Sequence, residues 1–257
     1  MSVFSRFDPA RPASALMGAV VIGVLAGLVS AAFLSITGEP SIEDAIAIEE
    51  ANARAADHTG ATGHEEAPEV SREVQRGPGL FGAYALAGAA FGALFGVTFL
   101  GLRKRLPDLV TRALVVGAVL AGAITVSPWL KYPPNPPAVG DPATLSQRQT
   151  LYATVIVLTL VVLLVAAALS ARLRSGGWVA DQRLLLVAAA VVVPMALIYA
   201  LMPPPPDEIA VPATLLWRFR IAALAGNLLL WGVLAFGFAA VAAAADRRTR
   251  HGVLATR

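Results

Sequence analysis

About six apolar blocks, each roughly 20 residues long, dictate what this chain can become, because each is long enough to cross a hydrocarbon core of about 30 Å as one α-helix. They fall at 15–36, 79–102, 110–130, 150–171, 183–202 and 216–243. The last is longer than a span needs and is expected to tilt or emerge. With 57% hydrophobic and 14% charged residues and a mean hydropathy of +0.69, the chain lies outside the composition of soluble domains. The expectation is an all-α polytopic membrane helical bundle of about six transmembrane helices, forming a single membrane domain over 1–257.

Charge sorts by connection. Arg6 and Arg11, the turn Arg103–Arg105 with Arg112, then Arg172, Arg174 and Arg183, and finally the basic tail 244–257 alternate with acidic connections. Positive residues stay cytoplasmic, so both termini are expected on that side and three loops outside. The first block follows two arginines, yet it exceeds a usual signal h-region and lacks an A-x-A site, so it reads as a span. There is no cysteine, which removes disulfides, thiolate metal sites and cysteine nucleophiles.

Gly23 and Gly27 in the first block, and Gly88, Gly92 and Gly96 in the second, are spaced as GxxxG, a signature of close helix approach in lipid. The acidic outer loop 37–78 opens with a short helix on which Glu39, Glu43, Ile46 and Glu50 share one face, with Asp44 and Glu49 beside it. Such a stripe is either a solvated face or an oxygen-rich capture surface for a divalent cation. His58 and His64 follow on a Gly/Thr spacer beside Asp57, Glu65 and Glu66, a ligand set that suits Co²⁺, Ni²⁺ or Zn²⁺ without selecting among them. An ordinary disordered loop is the alternative for this run.

The Pro-rich outer loop 131–149 carries prolines at 133, 134, 136, 137 and 142, which fix φ and stiffen it. Asp141 is its one carboxylate and a candidate ligand. At an offset of 70 residues Pro133, Pro134 and Pro136 match Pro203, Pro204 and Pro206, Pro142–Leu145 match Pro212–Leu215, and Arg148 matches Arg218. The pattern reads as a duplication of two-helix hairpins, with the first hairpin, ending its loop near Arg76, as a diverged further copy. Arg76, Arg148, Arg218 and Arg220 stand at outer helix ends, where the positive-inside rule disfavours them. They are expected to clamp acids such as Asp141, Asp207, Glu208 or the Glu39 face. Pro194 is expected to kink the fifth span, and Asn227, deep in the sixth, to hydrogen-bond across helices.

Much chemistry is missing. No phosphate-binding G-x-x-x-x-G-K-[ST] loop, H-E-x-x-H or G-x-S-x-G occurs. The chain is not expected to be an enzyme, to hold a resident cofactor or to bind nucleic acid. The span interiors lack Asp, Glu, Lys and His, which argues against an autonomous proton-driven pump.

GEPSIEDAI, QRGPGL, WLKYPPNPPAVGDPATLSQRQTLY and PATLLWRFRIAALAGNLLLW, in this order, resemble the CbtA family, with KYPPNPPAVGDP the most specific part. The resemblance implies the membrane subunit of a cobalt uptake system linked to cobalamin synthesis. It also implies a small single-span, histidine-bearing partner, CbtB-like. The family is commonly described with five spans, whereas charge alternation here requires an even number. Transport of divalent cobalt across the bacterial inner membrane is therefore the leading expectation, with Glu39, Glu43, Glu50, His58, His64 and Asp141 as metal candidates. A membrane scaffold whose outer loops dock a partner or envelope component is the alternative. An enzyme acting on lipid has the fewest residues in its favour.

Overall fold

The computed structural model describes residues 11–57, 70–137, 139–206, 209 and 211–255. These form seven helices: α1 (Pro12–Thr37), α2 (Glu39–Asp57), α3 (Arg72–Gly101), α4 (Leu109–Lys131), α5 (Pro142–Ser175), α6 (Ala180–Leu201) and α7 (Ala213–Ala255). All but α2 are long and apolar enough to span a membrane, which makes six among the described residues. The chain divides into two compact units. One comprises Met1–Ala121, Asn135–Ala138 and Val211–Arg257, the other Gly122–Pro134 and Val139–Ala210.

The first unit is built on glycine. α1 and α3 lie so close that a Cβ on Gly23 would collide with the Gly88 carbonyl oxygen, and one on Gly88 with that of Gly23. Gly27 meets the Tyr84 carbonyl in the same way, and Gly92 meets Ala19. The two GxxxG runs are thus opposite halves of one contact, in which missing side chains let backbones pack and dispersion replaces the hydrophobic drive that lipid removes. α7 packs on α1 and on the first part of α4, with Ser30 Oγ donating to the Gly226 carbonyl at 2.7 Å. Toward the basic turn, Phe95, Phe99 and Phe238 form a fully buried ring cluster, Phe99 and Phe238 meeting edge to face at 4.8 Å. Asp108 caps α4, accepting the Thr111 N–H at 2.7 Å. The Thr111 side chain, with this backbone bond, holds the Asp108 carboxyl below its ordinary range.

α3 starts well before its apolar block and bends where Gly77 leaves helical angles (φ −99°, ψ −112°) ahead of Pro78, which removes an N–H from the ladder.

In the second unit α4 continues through a π-helical stretch, Gly122–Val126, into Ser127–Lys131. The Pro-rich connection is shorter than expected. α5 begins already at Pro142, because Asp141 accepts the Ala143 N–H at 2.8 Å and Pro142 occupies the first helical turn, where a missing N–H costs nothing. Residues 143–149 therefore extend the helix instead of the loop. Gly140 precedes this cap at φ 106°, a backbone that glycine adopts without Cβ strain. α5 and α6 are joined by a turn through Gly176 and Gly177, the latter at φ 75°, and pack on each other. α6 contains Pro194 and has no buried residue.

Candidate functional site

At the acidic-loop end of the first unit, α2 is held by a row of ion pairs. Glu39 meets Arg72 at 2.8 Å, Glu43 meets Arg76 at 3.2 Å and Asp44 faces Arg218 at 3.8 Å. The spacing explains the row: residues i, i+4 and i+5 of one helix present acids to arginines at the starts of α3 and α7. Only the first pair is sheltered, with side chains 33% and 13% exposed. Glu50 points elsewhere and pairs with Arg54 on its own helix at 2.8 Å. Arg220 reaches back to the PPNPP run, donating to Asn135 Oδ1 at 2.9 Å.

Of the arginines expected to clamp outer-loop acids, the structure gives these partners. Arg76 takes Glu43 and Arg218 takes Asp44, while Arg220 holds an amide. Arg148 approaches the carbonyls of Val139 and Asp141 at 3.5 Å. Arg72 was not anticipated, although its spacing of four residues from Arg76 mirrors that of Glu39 and Glu43. The expected metal set looks different in space. Glu39, Glu43 and Glu50 are each engaged by arginine, and Asp141 caps a helix. Among the described residues, no group of three or more His, Asp or Glu side chains is placed to hold a metal ion. His58, His64, Asp207 and Glu208 lie outside the described residues.

Asn227 is also corrected. Its Nδ2 donates to the Ala223 carbonyl of its own helix at 2.8 Å, not across helices, because the i−4 carbonyl is always within reach of a side chain on the same face.

The second unit contains a cluster with no counterpart in the reading of the sequence. Ser127 Oγ and Thr159 Oγ1, both buried, share a hydrogen bond at 2.7 Å. Tyr199 Oη donates to the Ser127 carbonyl at 2.8 Å and lies 3.1 Å from its hydroxyl. Nearby, Lys131 Nζ donates to the Tyr199 carbonyl at 2.9 Å, and Tyr132 Oη to that of Pro203 at 2.7 Å. Burial pushes the Tyr132 phenol up from its ordinary value. The π-helical stretch sits immediately before this cluster, and Pro128 within it lacks the N–H that an earlier carbonyl would accept. Hydroxyls and backbone oxygens from α4, α5 and α6 therefore converge in otherwise apolar spans. The signal that could have found them is a Ser, Thr or Tyr inside a block of aliphatic residues.

A family model described as "Probable cobalt transporter subunit (CbtA)" matches residues 13–243. No curated protein and no solved structure matches the chain.

Proposed function

The chain belongs to the CbtA family, and from that premise we propose that it passes divalent cobalt across the bacterial inner membrane as the membrane subunit of an uptake system that supplies cobalamin synthesis. The match over 13–243 carries this reading, because it takes in all six candidate spans and both Pro-rich connections. The acidic loop between α1 and α3 raises the local concentration of cations at the mouth, and His58 and His64 add borderline nitrogen ligands for capture. Glu39 and Glu43 hold α2 in place through their arginines, and the acidic loop as a whole adds to the field.

Within the second unit, Ser127, Thr159 and Tyr199 supply neutral oxygens, which suit a hydrated cation in passage better than one retained. With no carboxylate or histidine at mid-depth, the driving force comes from outside this chain, and a CbtB-like single-span subunit with a histidine-bearing segment is the expected partner. Cobalt and nickel accumulation, compared in cells with and without the chain, tests the reading. It predicts cobalt accumulation that depends on the chain and falls when residues 52–68 are removed; equal accumulation of both metals in both strains ends it.

A further inference from the structure

Four consecutive prolines, Pro203, Pro204, Pro205 and Pro206, follow the end of α6. In a continuing helix the carbonyls of Tyr199, Ala200, Leu201 and Met202 would be answered by the N–H groups of residues 203–206, and proline has none. The C-terminus of α6 therefore presents oxygens that the backbone following it cannot satisfy, at the negative end of the helix dipole.

Two side chains, on the last residue of α4 and the one after it, reach these oxygens. Lys131 Nζ donates to the Tyr199 carbonyl at 2.9 Å, and Tyr132 Oη to the Pro203 carbonyl at 2.7 Å. Among the described residues Lys131 forms no ion pair. Its one other neighbour of note is the Tyr132 ring, 5.8 Å from Nζ to the centroid, at the outer limit of cation–π attraction. A positive charge thus rests on neutral oxygens. Tyr199 joins those oxygens to the hydroxyl cluster, since its carbonyl accepts from Lys131 while its hydroxyl donates to the carbonyl of Ser127, one turn earlier on α4.

We propose that Lys131 is a tethered competitor for the cation at these oxygens, so that only an ion of higher charge displaces it. This selection step rests on the cobalt passage proposed for the chain. Attraction between an ion and a carbonyl dipole grows with the ion's charge, which favours a divalent cation over the ammonium. Sodium carries the same single charge as the ammonium and faces it at the high effective concentration that a tether provides.

Lysine near a helix C-terminus can also serve only as a cap, which needs an N–H donor and no charge. Lys131→Gln separates the two roles, because it keeps a donor for the Tyr199 carbonyl and removes the charge, whereas Lys131→Arg keeps both. Cells lacking the chain are resupplied with each form at equal membrane level, and initial cobalt entry is measured in sodium chloride and in choline chloride of equal ionic strength. The parent and Lys131→Arg are expected to give the same rate in both salts. Lys131→Gln is expected to be slowed at least about twofold by sodium, as competition for one site gives once the competitor is half-bound. The purified Lys131→Gln chain is likewise expected to melt higher in sodium chloride than in choline chloride, the parent being indifferent. Cobalt entry that never depends on the chain ends the transport reading and the competitor role with it. Chain-dependent entry in which Lys131→Gln is as indifferent to sodium as the parent, or a parent already slowed by sodium, overturns the competitor role alone.

Discussion

Two hydrogens, on Gly23 and Gly88, set the distance between α1 and α3. Gly23→Ala or Gly88→Ala must push a methyl into a backbone carbonyl, and overpacking of this kind costs about 1–3 kcal/mol. A lower melting temperature in detergent is expected for both. Gly82→Ala, whose Cβ would meet nothing within 4 Å, is expected to leave it unchanged or raise it slightly. The glycine contact was legible in the sequence because its periodicity reports a face directly. The Asn227 bond was not, since its own carbonyl competes with a neighbour's and only helix rotation decides between them. Tyr132 gives a pH prediction. Its phenol is neutral as donor to Pro203 and its folded pKa is raised, so its contribution is complete below the unfolded value, near 10, and is lost as pH rises through the folded one. Tyr132→Phe, which removes the donor to the Pro203 carbonyl, is expected to cost about 1 kcal/mol at neutral pH. In thermal melts the difference from the parent should shrink at alkaline pH.

Helix α2 is an element whose existence the acidic stripe announced and whose anchoring it did not. A stripe of acids looks the same whether it waits for a cation or is answered by arginine, and the answer lies more than 30 residues away at Arg72 and Arg76. In double-mutant cycles the sheltered Glu39–Arg72 pair is expected to show a coupling of up to about 1 kcal/mol, and the exposed Glu43–Arg76 pair less. Both should weaken in high salt. Hydrogen exchange over α2 is the readout, rising in Arg72→Gln and hardly changing in Arg54→Gln. Helix ends were the other gap: the apolar blocks located the spans, but α3 and α5 run on into water through polar, helix-compatible residues that hydropathy does not count. The two PATL runs each open a helix, at Pro142 and beside Pro212.

At the scale of the whole molecule, the sequence carried the class of fold and the family, because span length and charge alternation are bilayer constraints that apply to every residue at once. The hydroxyl cluster of Ser127, Thr159 and Tyr199 escaped, since its members come from three blocks whose mutual rotation no pattern encodes. The sidedness expected from the arginines can be checked cleanly, the chain having no cysteine of its own. A cysteine at Ala51 is expected to react with a membrane-impermeant thiol reagent in intact cells, and one at Ser175 only after lysis. The central claim, that cobalt crosses through this chain, is tested most directly by the initial rate of cobalt entry into cells lacking it and then resupplied with it. The account predicts that the parent chain restores entry, and that Thr159→Val with Ser127→Ala, present in the membrane at the same level, restores it only in part. An entry rate that is the same with and without the chain would contradict it.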